Sequence, residues 1–522
     1  MKKILLTIAF VFACSSAAFG EDVGKWKRFV VTLPDATWSG NPFDVALTGT
    51  FVHTATGRTV IQLGFYAGAN TWKIFFMPDR IGAWTYTTSS PDSDLNAHSG
   101  SFICIDAGLP GQLMPTFKRW LLSDAGKYDA PIMLPVREWF KSTPTAGGVG
   151  DFITWADQTV GARIIGTTLV YFTHAQEAIP YVIGEEGVTF NTAMWDRLND
   201  HYDAIRDAGM GHYIMFFSDD AEAPSANGIA AQSEAEIRLF KYAVARLGCY
   251  PMVIWDTGID ISEYRTNDWI NWFTDWFLAN DPWQHPVSSR TGGGSGGIFP
   301  TNAPYYSDGS DAPPDFATFA ATWASRAVPT AMTDRWREYY VTRGNFTRAQ
   351  IRRAVWEMAL VAGTAAYVSG NENSGYLGPT YASDFTAAPD CGHAARFFRN
   401  RVSNMGDLVP QVGLVVSGNA VALAANPGQE YVAYFPFGGA AELDLSHVAG
   451  LAAYAWYNPL TGAYQIQGEV TGGSVVAFTA PDSNDWTLHI YTVSSATTPT
   501  NVSIAGGSTF QIGAGAGTLA IK

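Results

Sequence analysis

Between residues 108 and 405 the chain alternates short apolar runs with longer stretches of helical spacing, and this alternation constrains its fold more than any other feature. A strand, a helix and a further strand in repetition build a parallel sheet, because parallel neighbours need a long crossover. The runs that read as strands are 132–135, 164–171, 212–217, 252–255, 285–288, 303–306, 330–332 and 365–368. Helical spacing fills 195–208, 234–247, 269–279 and 350–361. Eight strands in this order predict a (β/α)8 TIM barrel.

The flanks follow a different rule. Residues 21–107 and 406–494 carry short runs alternating every second residue, with Gly, Asn, Asp and Pro between them. That pattern predicts an N-terminal and a C-terminal β-sandwich domain. Residues 495–522 form a Ser/Thr/Gly-rich tail. Residues 1–20 read as a signal peptide, with Lys2 and Lys3 before an apolar stretch and Ala18-Phe19-Gly20 as the cleavage site. A secreted or periplasmic location follows, with lipid anchoring through Cys14 as the alternative. No later run is long and apolar enough for a transmembrane segment. A net charge of -15 argues against a nucleic-acid partner. Cys104, Cys249 and Cys391 are widely spaced, match no zinc pattern and are expected as buried thiols.

In a barrel, chemistry gathers at the C-terminal strand ends. The polar residues placed there are Arg137 and Glu138 beside Trp139, His174, Asp220, Asp256 and Asp260, Arg290, Asp334, Arg335 and Glu338, Asn371 and Glu372. Carboxylates dominate. Two facing carboxylates suit glycosidic cleavage, in which one protonates the leaving oxygen and the other attacks the anomeric carbon or activates water. Arg137, Glu138 and Trp139 offer hydrogen bonds and a stacking face, and His174 a hydroxyl contact. Arg290 and Arg335 suit an acidic sugar.

Trp255-Asp256-Thr257-Gly258-Ile259-Asp260 resembles the W-x-x-G-x-D motif on strand 4 of apiosidase-like glycoside hydrolases, a clan A-like group of (β/α)8 barrels. The stretch from Val328-Pro329 to Asp334 resembles their strand 7, and Trp456-Tyr457-Asn458-Pro459 resembles a C-terminal sandwich labelled collagen-binding. The resemblance implies Asp260 as acid/base and Asp334 as nucleophile or base. The family has Glu at the latter position, so Glu338 or Glu372 stands as an alternative second carboxylate. It further implies a secreted hydrolase that cuts a plant, algal or microbial polysaccharide or oligosaccharide without a cofactor, and the chain is expected to act as a monomer. The alternative is a glycan-binding or adhesion protein on a decayed barrel.

Other signals carry less. Gly293-Gly294-Ser295-Gly296-Gly297 lacks the strand–turn–helix setting of a nucleophile elbow. Asp92, Asp94 and Asn96, or Asp308 and Asp311, lack EF-hand spacing and read as solvated loops, so no metal is expected.

Overall fold

The computed structural model describes residues 21–135, 148–169, 181–184, 187–218, 223–290, 298–308, 316–333, 336–339, 346–361, 366–371, 381–492, 502–503 and 509–510. The chain divides into two compact units, one up to Gly108 and one from Leu109 onward.

In the first unit seven strands join in one continuous order. It runs Asp22–Gly24, Ser99–Ile105, Gly82–Ser89, Thr48–His53, Thr59–Tyr66, Thr71–Phe76 and Phe29–Pro34. The expected sandwich of two separate sheets is therefore a single curled sheet. The reason lies in Thr59–Tyr66, which pairs with Thr48–His53 through its first half and with Thr71–Phe76 through its second. At the changeover sits Gly64, where a Cβ would come within 2.5 Å of the Leu47 side chain. Curling brings opposite parts of the sheet together: Phe29 stacks on Phe102 at 4.3 Å and Phe51 on Phe76 at 3.9 Å. Alternate residues enter this core, as in Thr48–His53, where Gly49, Phe51 and His53 are buried.

The second unit holds the β/α region. Its strands are β1 (Ile132–Pro135), β2 (Ile164–Thr168), β3 (Gly211–Phe217), β4 (Val253–Gly258), β5 (Val287–Ser288), β6 (Tyr306–Asp308), β7 (Thr330–Met332) and β8 (Ala366–Asn371). One parallel sheet runs β5-β4-β3-β2-β1-β8 and continues into Trp336–Tyr339, while β6 pairs in parallel with β7. Seven of the eight runs read from the sequence thus overlap a strand over most of their length or contain one, and the run 303–306 meets its strand only at Tyr306. Between them lie α1 (Gly148–Trp155), α2 (Thr192–Asp207), α3 (Glu234–Leu247), α4 (Asn267–Asn280), α5 (Phe316–Ser325), α6 (Arg348–Leu360) and, after β8, α7 (Ala388–Asn400). Their starts are chemically marked. Asn191, Ser233, Thr266 and Thr347 accept backbone N–H bonds at the N-termini of α2, α3, α4 and α6, and Thr347 with Gln350 completes a capping box.

Strands β1 to β5 and β7 are buried on both faces. One face sends Met133, Ile164, Tyr213, Met215, Ile254, Tyr305 and Ala331 into a single cluster, so β1 to β4, the β6 entry and β7 share one interior. A three-stranded antiparallel sheet, Leu113–Thr116, Arg119–Leu122 and Lys127–Asp129, adds Leu113, Trp120 and Leu122 to the same cluster. It is pinned by Asp129, which pairs with Arg163 at 2.8 Å and Arg399 at 3.2 Å. Burial pushes the Asp129 carboxyl up, but the two guanidinium groups outweigh it and hold it at about 2. The opposite face packs on the helices through Phe216, Trp255, Phe240, Phe273 and Phe277.

The C-terminal strands form two layers. The larger sheet runs Val409–Pro410, Ala422–Asn426, Glu430–Phe435, Trp486–Thr492, Leu451–Asn458 and Ala463–Thr471. The smaller has Val415–Gly418, Ala440–Asp444 and Val475–Thr479. Leu423, Phe435, Trp456 and Leu488 of one meet Leu443 and Phe478 of the other in a common core. These layers belong to the same compact unit as the β/α region. Arg352 of α6 joins them, bridging Asp390 of α7 at 2.9 Å and Asp485 at 2.6 Å. Cys104, Cys249 and Cys391 are buried thiols, as expected.

Candidate active site

The candidate site is built around β4. Its side chains alternate as a strand requires. Trp255 faces the helices and its indole N–H donates to Asp281 Oδ2 at 2.8 Å; His285 Nδ1 lies 2.7 Å from the same oxygen. Burial raises the Asp281 carboxyl, yet His285, Trp255 and the Trp283 N–H together bring it below its ordinary value. The Asp281-Pro282…His285 stretch after α4 is thus the anchor that holds β4.

Asp256 faces the interior and is fully buried. Its Oδ1 accepts from Gly258 N at 3.0 Å, and Ser307 Oγ reaches Oδ2 at 3.5 Å. Ser307 Oγ in turn lies 2.7 Å from Thr333 Oγ1. Tyr213, Tyr305 and Arg290 complete its surroundings. In register beside Asp256 is Ser288 of β5. The hydroxyls of Ser288 and of Thr168 on β2 are buried and have no hydrogen-bond partner among the described residues. Asp256, Ser288 and Ser307, with Thr333 just after β7 and Thr168 on β2, therefore place buried polar groups beside the apolar cluster, where such groups normally would be costly.

Burial pushes the Asp256 carboxyl up to about 7, against the opposing pull of the Gly258 N–H, the Arg290 charge and the Tyr213 and Ser307 hydroxyls. A raised acid binds its proton more tightly in the folded chain. Its contribution is fully present below the unfolded value near 4 and is lost as pH rises to about 7. Wild-type stability should fall by up to about 1.4 kcal/mol per pH unit across that window. Asp256→Asn should flatten the decline in urea titrations at pH 5 and pH 8. An unchanged slope would remove Asp256 as its source.

Beyond Asp256 the chain turns out of the strand. Gly258 has φ +134°, and a Cβ there would lie 2.2 Å from Phe217 O, so only glycine fits. Ile259 N donates to the same carbonyl at 2.9 Å. Asp260 follows in a left-handed conformation, φ +46° and ψ +45°, half-buried at the start of a single 3-10 turn, Ile261–Glu263. A non-glycine residue in this region stores strain of order 1–3 kcal/mol, and such strain clusters at functional sites. The turn presents Asp260 at the C-terminal end of β4, directly after the buried polar groups around Asp256.

The structure brings together Asp256 and Arg290, and Asp260 follows Asp256 closely in the chain. Glu338 goes elsewhere. Its carboxylate accepts from Thr386 N at 2.7 Å, Thr386 Oγ1 at 3.0 Å and Ala387 N at 2.6 Å, which caps the start of α7. Those three donors occupy it, and Glu338 is corrected from a second-carboxylate candidate to a helix cap. Asn371 ends β8. Arg137, Glu138, Trp139, His174, Asp220, Asp334, Arg335 and Glu372 lie outside the described residues. Sequence reasoning missed Tyr213, Ser288, Tyr305, Ser307 and Thr333. Tyr213, Ser288 and Ser307 sit on strands, with Tyr305 and Thr333 at strand borders, and their role is readable only once the inward face is known.

The family model described as "Domain of unknown function (DUF5060)" matches residues 22–91, and that described as "Putative collagen-binding domain of a collagenase" matches 409–491. No curated protein matches the chain. Among solved structures, a "putative glycoside hydrolase" from Bacteroides vulgatus is similar over 90% of this chain and 100% of its own, at 17% identity and TM-score 0.71. A glycoside hydrolase family 5 protein from Bacteroides vulgatus covers 74% of this chain and 95% of its own, at 13% identity and TM-score 0.58. A structure described only as "Glycoside hydrolase" covers 74% and 99%, at 14% identity and TM-score 0.57. The chain has a glycoside-hydrolase-like, multidomain fold.

Proposed function

We propose that the two parallel sheets are arcs of one (β/α)8 barrel and that this barrel is a secreted glycoside hydrolase. The observation that carries the reading is Asp260, held half-exposed in a left-handed turn at the end of β4, directly after the buried polar groups around Asp256. The shared interior of β1 to β4, β6 and β7 supports closure, as does the fold likeness.

In this reading Asp260 gives a proton to the glycosidic oxygen as the bond breaks. Asp334 attacks the anomeric carbon or takes a proton from water. Asp256 lies beneath, too buried to touch sugar, and with Arg290, Tyr213 and Ser307 it holds the floor of the site rigid. A separation of about 5–5.5 Å between the two reacting carboxylates gives retention, and roughly 6.5–9.5 Å gives inversion.

The test is reducing-sugar release from a panel of plant, algal and microbial polysaccharides. Release from at least one, with a defined product, is expected. Retention of a glycan on the protein without any product would favour the glycan-binding alternative.

A further inference from the structure

We propose that Asp35, Asp92 and Asp94 form a calcium site in the N-terminal unit. Asp35 follows the strand Phe29–Pro34, and the other two lie between Gly82–Ser89 and Ser99–Ile105. One carboxylate oxygen from each lies within 4.8 Å of the others. Residues from two separate loops thus converge, which an ordinary solvated loop does not require.

Asp35 gives the independent indication. It is only 2% exposed. Oδ1 accepts from Thr37 N at 2.7 Å and Trp38 N at 3.1 Å. Oδ2 is sealed from solvent and takes no hydrogen bond. The Thr37 hydroxyl lies 3.2 Å from Asp35 Oδ1 and 2.9 Å from Asp94 Oδ2, and its single proton serves one of them. Asp92 Oδ1 accepts from Asp94 N at 2.9 Å. No basic side chain among the described residues pairs with any of the three. His98 on the same loop has its Nε2 2.8 Å from the Asp94 carbonyl oxygen instead.

Three clustered anions repel one another, and a buried carboxylate oxygen without a donor is costly. A divalent cation relieves both conditions at once. The donor set is all oxygen, which excludes a preference for zinc or copper. Calcium accepts six to eight oxygens in flexible geometry, with loop carbonyls and water completing the shell, whereas magnesium demands a near-ideal octahedron. Bound there, the ion ties the end of Phe29–Pro34 to the 90–98 loop and stabilises the folded unit by linkage.

The test uses the full chain after EDTA treatment. Terbium is added and its emission is excited through protein tryptophan, Trp38 being adjacent to Asp35. Sensitised emission is expected, displaced by calcium with a dissociation constant of about 10⁻⁴–10⁻³ M, the range of extracellular modules. Millimolar calcium should also raise the melting temperature. Asp35→Asn should abolish both effects. Because Asp35 also orders its own turn, exposed Asp94→Asn is the second variant. It should weaken calcium at least tenfold with melting in EDTA unchanged. Wild type without terbium emission or a calcium shift would overturn the site, as would undiminished binding in both variants. Equal displacement by magnesium would overturn its assignment to calcium.

Discussion

Asp260→Asn is expected to lower turnover by about 10²–10⁴-fold on whatever glycan the wild type cleaves, since a positioned general acid contributes on that scale. Asparagine keeps the shape and loses the transferable proton. It also tolerates the left-handed conformation that Asp260 adopts at φ +46°. The melting temperature should therefore stay close to that of wild type, which separates lost chemistry from lost fold. Alanine is a poorer probe here, because it adds backbone strain to the missing carboxyl. Asp334→Asn, measured beside it, should cost at least as much if Asp334 is the second carboxylate. Full activity in Asp260→Asn would sink the assignment of the acid. Full activity in Asp334→Asn alone would pass the second role to Glu372.

Asp485→Ala is expected to destabilise the second unit by about 3–5 kcal/mol, although Asp485 lies far along the chain from any candidate catalytic group. Both of its oxygens receive Arg352, at 2.6 and 2.8 Å, and Tyr434 Oη donates to it at 2.9 Å. Arg352 and Asp485 are both buried. Removing the acid leaves a guanidinium in the interior with only Asp390 to answer it, and Asp390 already serves Arg348. The loss is that of an uncompensated buried charge, not of one surface pair. Urea unfolding at constant pH measures it. A change below about 1 kcal/mol would mean that water reaches Arg352 and that the β/α region does not depend on the C-terminal layers.

The elements legible in the sequence were those whose signal is local. Periodicity located the parallel strands, because a strand buried on both faces is a short apolar run and the helices between are amphipathic. The W-x-x-G-x-D stretch marked the exit from β4, and Gly258 shows why: nothing larger fits against Phe217 O. What was not legible depends on distant partners. Nothing local to Thr59–Tyr66 says that one strand serves two neighbours and turns a sandwich into a curled sheet. Glu338 reads as a rim acid until Thr386 and Ala387, from a later turn, occupy it. Asp256 looks like another rim carboxylate, and only the inward face of β4, with Tyr213 and Ser307 across from it, makes it a buried one. Asp92 and Asp94 read as solvated because Asp35, their third member, comes from another loop.

The pairing of β1 sets a clock on biosynthesis. One edge of β1 is satisfied early by β2, but the other waits for β8, since Ile132 bonds across to Ala366 about 230 residues later. At roughly 5–20 residues per second, a ribosome needs on the order of 10–50 s to deliver that partner. Throughout that interval a newly made strand carries open main-chain donors and acceptors, the kind of edge that recruits a neighbouring nascent chain. Yield in a cell should therefore respond to crowding on the messenger and to chaperone supply more than the stability of the finished protein would suggest.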